Sequence, residues 1–206
     1  MGYSMQKVKD IVLYQVATDR NYKVGDKLLF DKSIPNGQYQ RVFNSTFLKG
    51  EKRLSDTVYE SANRKFKKFK KTEDIYDIAH ALEFYDVITK ELAIEEVRQK
   101  YFEKYPSRLH CMYLSATKDI VLKNIKNFAR SREKKGKHFQ AVAVKLNGII
   151  FKAGKVYMSR EGQSYQHYKQ KAYDYWSQQD VRDDEIKEIL FEGQAEIVEI
   201  LDEIKL

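Results

Sequence analysis

The chain has 206 residues and a formal net charge of +8, with a single cysteine, Cys111. That length suits one domain able to bury about 70% of the surface its unfolded chain exposes, and one cysteine excludes an intrachain disulfide and points to a reducing compartment, the cytoplasm by default. No run approaches about eighteen apolar residues, "MGYSMQKVKDIVLYQVATD" lacks the apolar core of a signal peptide, and Gln6 stands where a myristoylation motif needs Ser or Thr, so neither a membrane span nor a lipid anchor is expected.

In chain order, "DIVLYQVATD" (10–19) reads as a strand, and "KVGDKLLFD" (23–31) as a turn at Gly25 leading into a second strand. Pro35 and Gly37 mark a loop. From 54 to 105 Gly and Pro are nearly absent and apolar residues recur at helical spacing: Leu54, Val58, Ala62, Phe66 and Phe69, then Ile75, Ile78, Leu82 and Tyr85, then Ile94, Val97 and Tyr101. This predicts a helical block stopped by Pro106. Inside it, "NRKFKKFKKT" (63–72) sets Arg64, Lys65, Lys67, Lys68, Lys70 and Lys71 around Phe66 and Phe69. The two Phe anchor a helix, and the cations form either a solvated face or one that meets phosphates.

After Pro106, "LHCMYLSAT" (109–117) predicts a strand and the residues from Lys118 to about Lys134 a helix, where "REKKGK" makes a basic turn. "HFQAVAVKLNGIIFKAG" (138–154) reads as two strands about an Asn147-Gly148 turn or as one bulged continuous strand. "QSYQHYKQKAYDYWSQQ" (163–179) puts Tyr165, Tyr168, Ala172, Tyr175 and Trp176 along one helical face, the pattern of a core stripe rather than a cofactor box. "KEILFEGQAEIVEIL" (187–201) fits two periods. Period two sets Ile189, Phe191, Gly193, Ala195 and Ile197 on one face of a strand; period 3.6 makes a stripe of Ile186, Ile189, Leu190, Ile197, Ile200, Leu201 and Ile204. Gly193 costs a helix about 1 kcal/mol, which favours the strand.

Charge is unevenly spread. Residues 181–206 hold nine acids against Arg182, Lys187 and Lys205, a net of −6, which leaves +14 on the first 180 residues. Such a surface either attracts polyanions, nucleic acid first, or serves solubility. Other chemistry is excluded by spacing. The four histidines, His80, His110, His138 and His167, lie far apart beside one cysteine, so no zinc motif exists. Between Gly148 and Gly154-Lys155 stand five residues, with Val156 following, which breaks the phosphate-loop pattern; no GxSxG elbow or GxGxxG turn occurs.

Three short segments remain: "LYQVAT", "PSRLHCMYLSATKD" and "KEILFEGQAEI". In these the chain resembles the ADP-ribosyltransferase superfamily, in particular its diphtheria-toxin-like branch with a His-Tyr-Glu triad. Leu13-Tyr14-Gln15 is similar to the branch's first-strand "LYH" with Gln15 in the histidine place. Met112-Tyr113-Leu114-Ser115-Ala116 is similar to its aromatic second strand followed by small residues, and Glu188-Ile189-Leu190-Phe191-Glu192 to its last, "EYIVYD". The order "PSR…C.YL", a "YW" helix and "EILFEG" resembles more closely a bacterial family of ADP-ribosyltransferase-like domains. The likeness runs in order from Val12 to Glu199.

The resemblance implies one α+β domain over 1–206, with a split mixed or antiparallel sheet and a helical insertion at about 54–105, holding NAD in a cleft. In that reading Glu188 is catalytic, its carboxylate stabilising an oxocarbenium-like ribose. Tyr14, Gln15, Tyr113, Ser115 and Arg108 bind NAD: Tyr113 stacks on nicotinamide, the Gln15 amide bonds ribose or carboxamide, and Arg108 either pairs with the pyrophosphate or caps the preceding helix. A rival is the Arg-Ser-Glu branch, with Gln194-Ala195-Glu196 as its Gln-x-Glu, Ser115-Ala116-Thr117 as its serine strand and Arg20 or Arg41 as its arginine. The implied function is transfer of ADP-ribose to a macromolecule. Basic charge favours a nucleic-acid acceptor, RNA ahead of DNA, met by Arg64, Lys67, Lys68, Lys70 and Lys71, without a metal. Relatives of this kind resemble toxins of toxin–antitoxin or phage-defence systems, which implies an antitoxin partner. Transfer to protein, or a non-catalytic nucleic-acid-binding module of the same fold, are the alternatives.

Overall fold

The fold, taken from a computed structural model, is described for residues 5–44, 48–49, 52–53, 72–130, 136–154, 163–177 and 187–206. It is α+β. Strands β1 (Gln6–Thr18), β2 (Lys27–Phe30), β5 (Met112–Leu114), β6 (His138–Gly154) and β7 (Lys187–Lys205) form one antiparallel sheet, and β3 (Leu48–Lys49) pairs with β4 (Lys52–Arg53) in a separate ribbon. The helices are α1 (Gly37–Tyr39), which runs into a π turn at Gln40–Asn44, α2 (Thr72–Tyr101), α3 (Lys118–Arg130) and α4 (Tyr165–Ser177). Of the helical block expected over 54–105, residues 72–105 are described: α2 ends at Tyr101, and 102–105 form a turn, with the Tyr105 N–H on the Phe102 carbonyl (2.9 Å), before Pro106. The basic run with Arg64, Lys67, Lys68, Lys70 and Lys71 lies outside the described residues. Among the described residues no helix is long and apolar enough to cross a membrane.

The sheet is built on two long strands. β6 pairs with β7 from His138↔Lys205 to Gly154↔Lys187, so residues 187–201 are strand, and their alternation turns Ile189, Phe191, Ala195 and Ile197 into one core. Asn147-Gly148 does not turn the chain. Gly148 lies opposite Gly193, where the two backbones approach so closely that a Cβ on Gly148 would sit 2.2 Å from the Glu192 carbonyl oxygen. Gly193 also has φ +141°, a conformation that side chains oppose. The motif that signals a hairpin here serves close strand approach instead.

The other edge of β7 carries β5 and then β2, through Met112↔Phe191 to Leu114↔Ile189 and through Lys27↔Glu196 to Phe30↔Gly193. β1 pairs with the far side of β6, and a bridge joins it to the residue after β5: Ser115 N–H donates to the Tyr14 carbonyl (2.7 Å) and Tyr14 N–H to the Ser115 carbonyl (3.2 Å). The inner core is therefore made by strands, with Leu13, Leu28, Leu114, Val142, Leu146, Ile189 and Phe191 packed together. Helices cover the opposite face. α3, started by the Thr117 hydroxyl accepting the Ile120 N–H (3.3 Å), buries Val121 and Ile125 on Phe139 and Ala141. α2 and α4 bury Ile94, Val97, Ala172, Tyr175 and Trp176 on Phe151, Ala153 and Leu190, each large side chain contributing about 1.5–3 kcal/mol. Tyr168, Ala172, Tyr175 and Trp176 of the predicted stripe are buried, while Tyr165 is exposed.

Candidate functional site

Two carboxylates one turn apart on α2 anchor the "PSR" segment. The Ser107 hydroxyl donates to Glu95 Oε2 (3.0 Å); Arg108 Nε donates to Glu91 Oε2 (2.9 Å) and Nη2 to Glu91 Oε1 (3.2 Å). Arg98, not Arg108, serves the end of α2. Its Nη1 donates to the Glu103 and Tyr105 carbonyls (3.0 and 3.1 Å), while its other nitrogens hold Glu95. The segment is clamped from the other side by Asn36. Its Oδ1 caps α1 through the Gln38 and Tyr39 N–H groups (2.9 and 3.1 Å), and its Nδ2 donates to the Arg108 and Cys111 carbonyls, both 2.8 Å. The Tyr113 hydroxyl donates to the same Arg108 carbonyl (2.7 Å).

So fixed, Arg108 reaches the first residues of β7. Its Nη1 and the Tyr175 hydroxyl both donate to Glu188 Oε1, and Nη1 also lies 3.0 Å from the Tyr175 oxygen. The guanidinium lies over the rings of both Tyr113 and Tyr175, 5.3 Å from each ring centre. Among the described residues nothing donates to Glu188 Oε2.

Burial makes these contacts obligatory. Glu91 is 2% exposed, Arg108 7% and Glu188 8%, and an unpartnered charge at such depth is costly. Lys90 Nζ lies 3.7 Å from Glu91, so two cations and two carboxylates balance. Burial pushes the Glu91 carboxyl up, but the charge and hydrogen bonds of Arg108, with those of Lys90, outweigh it and hold Glu91 below the ordinary glutamate value. Burial likewise pulls the guanidinium down, and Glu91 overrides it, so Arg108 stays a cation. The Tyr175 and Tyr113 phenols are pushed up by burial and remain donors. Burial also lifts the Cys111 thiol to about 12, which leaves it an unreactive core residue.

The expected residues are brought together in part. Ser115 is bridged to Tyr14, and continuing the β5 register by one position sets it opposite Glu188, so Tyr14, Ser115 and Glu188 form a row across three strands. Tyr113 shares that side, packing with Leu190, though Arg108 covers one face of its ring. Gln15 is on the other side. Leu13 packs into the inner core and Tyr14 into the helix-covered one, so alternation turns Gln15 inward, where its Oε1 is buried without a hydrogen bond among the described residues. Glu196 lies eight residues along β7 from Glu188, roughly 26 Å at strand rise, and Arg20 and Arg41 are exposed. The Ser115 strand and Glu196 do not meet.

Sequence reasoning missed Glu91, Tyr175 and Asn36. Glu91 and Asn36 carry no motif, and Tyr175 was legible only as part of the buried stripe. Among the described residues no group of His, Cys, Asp and Glu is arranged to hold a metal ion. No curated protein matches the chain. Residues 13–203 match the family model described as protein of unknown function, DUF2441, a span that takes in Tyr14, Arg108, Ser115, Tyr175 and Glu188. With most of its length inside that match, the chain belongs to the DUF2441 family.

Proposed function

We propose that this protein is an NAD-dependent ADP-ribosyltransferase acting on a macromolecule, with nucleic acid, RNA ahead of DNA, as the acceptor. The observation that carries the reading is the way Glu188 is held: Oε1 is anchored by Arg108 and Tyr175 while Oε2 receives no hydrogen bond among the described residues. A buried carboxylate fixed through one oxygen is suited to accept the ribose 2′-hydroxyl with the other. Its charge, in low-dielectric surroundings, then stabilises the positive charge that grows on the ribose. The bond from C1′ to the nicotinamide nitrogen breaks with its electron pair leaving on nicotinamide, the acceptor bonds C1′, and its proton passes to solvent. Arg108 and Tyr175 orient Glu188, and Tyr113 holds Arg108.

The acceptor preference rests on charge. Residues 1–180 carry +14, and the exposed Lys118, Lys123, Lys126 and Arg130 lie on α3, which begins three residues beyond Ser115. Phosphates along that helix would lead toward the Tyr14–Ser115–Glu188 row. A cytoplasmic toxin role in phage defence, with a neutralising protein partner, follows from the family resemblance alone. The test is incubation of the purified protein with NAD labelled in its adenylate half and a cell extract. Label that becomes soluble on nuclease treatment is the expected result; label removed only by protease would transfer the proposal to a protein acceptor, and absence of nicotinamide release would end it.

A further inference from the structure

We infer that Glu91 is a positioning residue of this site: by holding the Nε and Nη2 edge of Arg108 it limits the guanidinium to a single contact with Glu188 and keeps Glu188 Oε2 available. The inference rests on the transferase reading for its consequence and on geometry for its basis. An arginine offers a planar fork that pairs most strongly with both oxygens of one carboxylate. Here Glu91 receives that fork at 2.9 and 3.2 Å, and Glu188 receives only Nη1, on Oε1. The guanidinium also lies over the rings of Tyr113 and Tyr175, 5.3 Å from each ring centre, and these contacts keep it beside Glu188 when one edge is released. With Glu91 uncharged, Glu188 is, among the described residues, the one carboxylate left on that cation, and a two-oxygen pairing occupies Oε2.

Glu91 is itself well placed for such a role. It is 2% exposed on α2, three residues before Ile94 in the core, and Lys90 balances the second carboxylate. It touches Arg108 rather than Glu188, so it acts through the arginine.

The test is nicotinamide release from NAD by the wild type, Glu91→Gln and Glu91→Asp, with a crystal structure of each variant. For Glu91→Gln, kcat should fall about 10- to 100-fold with KM for NAD within about twofold, and Arg108 should engage both oxygens of Glu188. Glu91→Asp, which keeps the charge, should recover most of kcat. Wild-type kcat in Glu91→Gln with Arg108 still on one oxygen would overturn the inference, as would a raised KM at unchanged kcat. If Glu91→Gln does not fold, Glu91→Asp decides: a smaller loss in kcat at unchanged KM supports the role, and wild-type kinetics refutes it. If the wild type releases no nicotinamide, the transferase reading falls, and the position of Arg108 in the variant structures alone decides the positioning role.

Discussion

Glu188 and Glu196 lie on one strand and differ in almost everything else. Glu196 is about a third exposed, pairs with Lys145 at 2.9 Å, and lines a cavity of about 480 Å³ with Lys27, Asn147 and Gln194. The hydrogen bond from Lys145 holds its carboxyl below the usual range. Glu188 lines no described cavity and is buried against Arg108 and Tyr175. A solvated pair gains little from its contact, whereas a buried charge persists only with converging partners. Convergence on a buried group, rather than the visible cavity, marks the candidate chemistry on this strand.

The largest effect is expected for Arg108→Ala. It leaves Glu91 and Glu188 buried without their shared cation, and chemical denaturation should record a loss of about 3–5 kcal/mol, against no measurable change for Lys145→Ala. Equal effects would mean that the two pairs do not differ as described. The same variant has a pH signature. Glu91, with its value depressed in the folded state, contributes stability that is complete above the ordinary glutamate range and is lost as pH falls through the depressed value. Removing Arg108 should flatten that acid-side slope.

Gly193→Ala comes next. Gly193 stands where the edge of β7 passes from β5 to β2, at φ +141°, and a Cβ there would lie 2.4 Å from the Asn147 carbonyl oxygen. A loss of about 1–3 kcal/mol is expected from the strained conformation, with more if β6 must move. A neutral substitution would show that the two backbones are not in such close contact. The smallest change, Tyr113→Phe, sharpens the picture of the Glu188 end. It removes the hydroxyl that holds the Arg108 carbonyl while keeping the ring on the guanidinium, so about 1 kcal/mol is expected. A loss as large as that of Tyr113→Ala would assign the main role to the hydroxyl.

Much of the sheet was legible because its strands separate cleanly into two faces. Ile189, Phe191, Ala195 and Ile197 repeat every second residue, and each enters the inner core. The same parity places Gln15 inward with Leu13, a consequence of alternation that the motif match to "LYH" hides. α2 was legible as a helix but not in its buried face. Periodicity weighs residues by apolarity, and here Leu82, Tyr85 and Tyr101 are exposed while Lys90, Glu91, Glu95 and Arg98 are buried. Those charges are inside because Ser107 and Arg108, later in the chain, meet two of them. Pairing across such a separation leaves no trace in a local window.

The most direct test is nicotinamide release from NAD by the wild-type protein, Glu188→Gln and Glu196→Gln, each first checked for an unchanged fold by circular dichroism. If Glu188 carries the chemistry, turnover is expected in the wild type and in Glu196→Gln, with a loss on the order of 100- to 1,000-fold in Glu188→Gln, where size is kept and charge removed. Full turnover in Glu188→Gln together with loss in Glu196→Gln would contradict that role of Glu188, and would move the chemistry to the solvated cavity beside Lys145.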